Sequence, residues 1–303
     1  MPASETTASA GLVCIGAMLW DIIGRSSTPL GPGDDVPGRV EQRPGGVAFN
    51  IALALATRGF RPVMLSSIGS DASGAALADL AETRGVDSAM LHRSKSHGTD
   101  IYMAIEAGAQ MLASVADARA LEAAGAAILA PLRDGRLGDA AHPWAGMIIL
   151  DSNLAPEIIA QFQSDPCLNA AELVLVPASP AKAARLESLL HRPKTSFYLN
   201  RREAEVLAGR PLATAAEAAE AILAAGAARV IVTDGPHPLA EAISSAPTLV
   251  LTPPPLDVTR VTGAGDFLLS AHLEARLSGL EREAALASAL AAVSSYVSGK
   301  DIQ

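Results

Sequence analysis

Short apolar runs alternate with helix-forming segments along this chain, and that alternation leaves few folds open. Residues 11–17 (GLVCIGA), 62–68, 144–150, 173–176, 195–199 and 230–233 read as strands buried on both faces. Between them lie the helical segments 47–58, 72–84, 156–164, 181–190, 202–207 and 215–225. Gly59 and Gly85 stand where the first two of these helices should stop. Strands joined through helices form right-handed βαβ crossovers. The expected class is therefore α/β, a doubly wound and mostly parallel sheet flanked by helices. Such sheets bind ligands beyond the carboxyl ends of their strands.

One region breaks the rhythm. Residues 100–106 and 110–115 alternate or run apolar about Ala107-Gly108-Ala109, which predicts a β-hairpin. With possible strands at 22–25 and 39–43 it makes a small separate β-sheet, a lid built from segments of about 22–44 and 99–117. No repeat or long linker divides the chain, so residues 1–303 are expected to form a single domain. Aromatic residues are only 3% of a chain that is 50% apolar, so the core must pack small aliphatic side chains. The alanine-rich stretches 118–127 and 213–228 favour helix.

The net charge of −9 comes without a basic cluster, which argues against a nucleic-acid partner. An anionic substrate would have to be held locally, by backbone N–H groups, metal and a few cations. Cys14 and Cys167 lack metal-ligand spacing, and Cys14 reads as a small core residue. Residues 1–10 carry no export signal and no apolar run has membrane length, so a cytoplasmic protein without a membrane partner is expected.

The sharpest chemical signal is Val261-Thr262-Gly263-Ala264-Gly265-Asp266, opening an apolar helical pattern. A glycine turn at a helix N-terminus aims N–H groups at an anion. A carboxylate there would weaken anion binding unless it takes a proton from an attacking hydroxyl. The alternative is a tight turn with Asp266 as N-cap. Gly45-Gly46 opens the helix that carries Asn50 and lets a ligand approach the backbone, or is a turn only. Asp21 after the first strand suits two sugar hydroxyls, or is a solvated loop residue. Asn200 and Glu203 share a helix face as hard oxygen donors for Mg²⁺, as a capping box, or as both. Thr233-Asp234-Gly235 ends a strand, where a hydroxyl and a glycine suit nucleotide phosphate or ribose.

In this order these motifs resemble those of the ribokinase-like carbohydrate kinases, from about residue 11 to 297. Finer stretches are similar to one branch, the pseudouridine kinases: Pro44–Ala52 (PGGVAFNIA), Ala113–Asp117, Asp151–Leu154, Pro177–Lys182 and Asn200–Glu205. The resemblance implies ATP, Mg²⁺ and a small-molecule nucleoside whose 5′-hydroxyl is phosphorylated. Asp266 would be the base, and Gly263, Ala264 and Gly265 the anion hole. Asp21, Gly45, Gly46 and Asn50 would hold the ribose, while Tyr102 and Asp117 close over it. Asp117, Asn153 or a main-chain group would read the base. Asn200 and Glu203 would organise Mg²⁺, and Asn200, Thr233, Gly235, Gly263 and Gly265 would meet the nucleotide. The lid could pair two subunits into a homodimer. Other acceptors, such as another nucleoside or a sugar, remain open, as does a non-catalytic nucleoside sensor.

Some positions depart from the family. Arg260 stands where many relatives carry an acid that frames a monovalent-cation site, which argues against a potassium requirement. Gly235-Pro236-His237-Pro238 replaces a glycine-rich nucleotide loop. Val176 and Leu199 replace an acid and a proline.

Overall fold

The computed structural model describes residues 11–108 and 110–299. Residues 1–10, where no export signal is expected, and Ala109 of the expected hairpin turn lie outside the described residues. The chain opens with strands β1 (Leu12–Ile15), β2 (Leu19–Ser26) and β3 (Arg39–Gly45). Next come β4 (Val63–Leu65), β5 (Ser67–Gly69), β6 (His92–Ser94), β7 (Ile101–Ala107) and β8 (Gln110–Asp117). The later strands are β9 (Met147–Asp151), β10 (Glu172–Val176), β11 (Thr195–Asn200), β12 (Arg229–Asp234), β13 (His237–Ile243) and β14 (Ala246–Leu251).

The main sheet has 8 strands in the order β14-β13-β12-β11-β10-β9-β1-β4. It is parallel from β4 to β12, and β13 and β14 continue it antiparallel. The expected fold class holds. Period-two geometry splits each strand between two cores. Ile148 and Leu150 join the cluster under the helices that include Ala215–Ala224, while Ile149 packs against Val47–Ala56 and Ala264–Leu277. Covered on both sides, β9 is buried at every position. Among the described residues no helix is long and apolar enough to cross a membrane.

The second sheet has 4 strands in the order β3-β2-β7-β8, close to the segments expected for the lid. Its root is pinned by Asp100, whose carboxylate accepts from the Ala120 and Leu121 N–H groups at 2.8 and 3.1 Å. Several local expectations are corrected. Residues 62–68 split, because Ser67–Gly69 leaves the main sheet to pair with His92–Ser94. The segment 156–164 breaks into Pro156–Ile159 and Gln161–Ser164, and 181–190 becomes the short α-helix Pro180–Ala183 followed by the 3₁₀ helix Ala184–Leu189. The hairpin β13–β14 was not anticipated, since its prolines mask the alternation that marks strands.

β1 is followed in chain order by its neighbour β4 on one side and much later by β9 on the other. The gap above β1 and β9 is thus a topological switch point, where ligands of such sheets bind.

Candidate active site

The helix Ala264–Leu277 starts without a side-chain cap. Its N-cap is Gly263, at φ 81°, a conformation that costs glycine little. Asp266 lies in the first turn and caps nothing, so it is not the N-cap of this helix. No described residue accepts a backbone hydrogen bond from the Gly265 or Asp266 N–H, leaving both for a ligand. Ala264 corrects the expectation: its N–H donates to the Val261 carbonyl at 3.0 Å, so it is not a free donor in this state.

The double-glycine turn meets this N-terminus. Asn50 Nδ2 donates to Asp266 Oδ2 at 3.3 Å, across 216 residues of sequence. Gly46 sits at φ 100°, and a Cβ there would overlap the Ala17 carbonyl oxygen. A Cβ on Gly45 would overlap the Asp21 carboxylate, so the missing side chain lets that acid lie on the backbone. Asp21 itself is inside β2, not in a loop after β1, with Arg43 and Tyr102 as its register partners. Burial raises Asp21 to about 6, against the opposing Arg43 charge.

Below them a cavity of about 180 Å³ is lined by residues that include Val47, Asn200, Glu203, Thr233, Gly265 and Asp266. Asn200 and Glu203 form the capping box: Asn200 Oδ1 accepts from the Glu203 N–H at 3.0 Å and Glu203 Oε2 from the Asn200 N–H at 2.9 Å. No described residue donates to Glu203 Oε1. Burial raises Glu203 to about 7, opposed by its bonds to Asn200. Asp266 is also pushed up to about 7, chiefly by burial; Asn50 opposes the rise, and the Asp151 and Glu203 charges add to it. An acid raised by two acidic neighbours suits a cation. Among the described residues no three His, Cys, Asp or Glu side chains form a metal cage. Mg²⁺ needs no such cage, since it takes one or two carboxylates and completes its shell with water and phosphate.

Asp151, which the sequence marks only as the start of the stretch 151–154, has a structural part in this cluster. Its buried carboxylate accepts from the Ala17 and Ala48 N–H groups at 2.9 and 3.1 Å, joining the end of β1 to the helix behind the double glycine. Asn153 adds bonds of 2.8 Å from its N–H and 2.9 Å from Nδ2. The Asn153 Oδ1 in turn accepts from Lys182 Nζ at 2.7 Å. Each end of the Asn153 amide thus has a partner within the protein, which makes it a link in a network. The signal of Asp151 in the sequence is an acid ending an apolar strand.

Other expected residues fall outside the cluster. Asp117 forms an ion pair with Arg119 at 2.6 Å, whose hydrogen bonds push it down to about 2. The Tyr102 hydroxyl contacts Met111 Sδ at 3.8 Å. Gly235 lies in the exposed β12–β13 turn, where Asp234 pairs with His237, and is not among the cavity-lining residues. Thr233 does line the cavity.

The model of the pfkB family carbohydrate kinases matches residues 9–301. The pseudouridine kinase of Escherichia coli is 28% identical over 278 residues, which are 89% of this chain and 84% of that protein. In fold, a carbohydrate kinase from Agrobacterium tumefaciens superposes with a TM-score of 0.79 at 24% identity, covering 97% of this chain and 94% of that one. The ribokinase of Arabidopsis thaliana, solved with ribose and ATP, gives 0.76 at 21% identity over 95% of this chain and 92% of that one.

Proposed function

The chain belongs to the pfkB family of carbohydrate kinases, ATP-dependent phosphotransferases of sugars and nucleosides, and from that premise we propose that its acceptor is the 5′-hydroxyl of pseudouridine. The observation that carries the reading is the Asn50–Asp266 contact, which joins the helix behind the double-glycine turn to the uncapped helix N-terminus, whose Gly265 and Asp266 line the cavity. Asp21 and Asn50 hold the ribose hydroxyls. Asp266 accepts the proton of the attacking hydroxyl as the bond to phosphorus forms. The free N–H groups of Gly265 and Asp266 receive the charge on the transferred group. Asn200 and Glu203 would hold Mg²⁺, which when bound neutralises phosphate charge. The small sheet is the lid that excludes water. The relationship to the pseudouridine kinase supports the choice of acceptor.

The test is ADP release with pseudouridine, uridine, adenosine and ribose. Pseudouridine carries a ring N–H that uridine lacks. A site built around that donor should favour it in kcat/KM by roughly 10²-fold or more. Equal turnover of uridine, or preference for adenosine or ribose, would reassign the acceptor.

The lid also supports a homodimer. By register Met103 and Val115 share one face of the small sheet, and Val40 and Ile105 lie on the same face one row along. These side chains are 47, 69, 73 and 40% exposed, in the order Met103, Val115, Val40, Ile105. Asp21 and Tyr102 face the opposite way. An exposed apolar face that crosses the small sheet from β3 to β8 suits a second copy related by a two-fold axis. Light scattering should find a dimer for the native chain and a monomer for Met103→Glu/Val115→Glu. A native chain that is monomeric at all concentrations would remove the proposal.

A further inference from the structure

The turn carrying the free amides is held from behind by a cation belonging to the chain. The Arg260 guanidinium carbon lies 3.5 Å from the centroid of the Tyr296 ring, and Arg260 Nε donates to the Tyr296 carbonyl at 2.8 Å. The Tyr296 hydroxyl reaches back and donates to the Thr262 carbonyl at 2.9 Å. The N–H groups of Thr259 and Arg260 both donate to the Val297 carbonyl, at 2.8 and 3.3 Å. The Tyr296 ring also stacks on Phe267, with centroids 4.6 Å apart, just past Asp266. A Cβ on Gly263 would come 2.8 Å from the Tyr296 hydroxyl oxygen. The segment from Thr259 to Gly263 is thus stitched on both sides to the end of the helix Arg282–Val297.

A monovalent cation at this loop would need free carbonyl oxygens and a nearby acid. The groups present do not fit one. The Tyr296 and Val297 carbonyls already accept from Arg260 and Thr259, and the side chain in place is a fixed positive charge. An incoming ion would displace a charge-assisted hydrogen bond and sit beside a guanidinium. Cation–π stacking adds to the hold on that guanidinium.

We propose that Arg260, clasped by Tyr296, takes the place of a bound monovalent cation in positioning the Gly263–Asp266 turn, so that turnover needs no potassium. The proposal rests on reading that turn as the site of phosphoryl transfer. Arg260 touches no reacting atom and is a positioning residue.

The experiment measures ADP release by the full chain in choline buffer titrated with potassium chloride, for the native protein, Arg260→Ala and Tyr296→Phe. The native kcat should be flat across the titration. Arg260→Ala should lose roughly 10²-fold in kcat with little change in acceptor KM, since a small misplacement of the turn is enough. Added guanidinium ion should recover part of that loss. Tyr296→Phe keeps the ring and drops the bond to Thr262, and should lose roughly tenfold, the worth of one such bond. It serves if Arg260→Ala fails to fold. Potassium activation of the native protein, a normal kcat in the variants, or a loss that guanidinium leaves untouched would overturn the proposal. A native chain that releases no ADP with any acceptor would instead defeat the kinase reading. Amide exchange across residues 259–267 then decides the clasp: faster exchange in Arg260→Ala supports it, and equal exchange overturns it.

Discussion

Asp266→Asn is expected to lower kcat by roughly 10²–10⁴-fold, the usual worth of a positioned general base, while making the protein more stable. Both effects follow from one fact. The carboxyl is held out of water, beside Asp151 and Glu203, and its pKa rises to about 7. As a base it must be ionised, so kcat/KM should fall as pH drops below about 7, the value for the free enzyme. The stability effect has the opposite sense. In the unfolded chain this carboxyl ionises near its ordinary value of 3.8, in the folded chain near 7. Between those values the folded state binds more protons, so stability declines as pH rises through the interval and stays reduced above it. Asparagine has no charge to bury. The variant should match the native protein near pH 4 and exceed it above pH 7, by on the order of 2–4 kcal/mol. Urea unfolding at the two pH values measures the gain, and steady-state ADP release measures the loss. Near-native turnover in the variant would remove Asp266 from the chemistry. Equal stability at both pH values would mean that the carboxyl is not desolvated.

Asp151→Ala should be the most damaging substitution for the fold around the site, at a cost of about 3–5 kcal/mol. Every hydrogen-bond partner of this carboxylate is a donor: the N–H groups of Ala17, Ala48 and Asn153, and Asn153 Nδ2. Burial pushes its pKa up while these bonds pull it down. A protonated acid would meet a donor with a donor, so the ionised form is the one that fits. Alanine leaves those groups buried without an acceptor. The double-glycine turn would lose its tie to β1 and with it the placement of Asn50. Acceptor KM should therefore rise along with the loss of stability. A stability change under about 1 kcal/mol, the scale of a single ordinary hydrogen bond, would show that water replaces the carboxylate and that the clamp is not structural.

Much of this protein is legible residue by residue. The run Met147–Leu150 is apolar throughout because a strand inside a parallel sheet is covered on both faces. The capping box at Asn200 and Glu203 is written in the spacing of two residues, and it forms. What misleads are cases where a second partner competes. Asp117 and Asn153 look free in sequence, yet Arg119 takes one, while Asp151 and Lys182 take the other. The segment 62–68 reads as one strand across Ser66-Ser67 but serves two sheets, since β6 offers its second half another edge.

Periodicity, glycine placement and capping are local, set by backbone sterics and by burial averaged over a few residues. For that reason the sequence alone determined the α/β class, the two glycine turns and the acid that follows the second of them. Tertiary structure alone decided which polar groups meet: Asn50 with Asp266, Asp151 with Ala17 and Ala48, and Arg260 with Tyr296. Those contacts join segments far apart in the chain. Their energies depend on desolvation and on distances of a few ångströms, which exist only once the sheet has closed and both of its faces are covered.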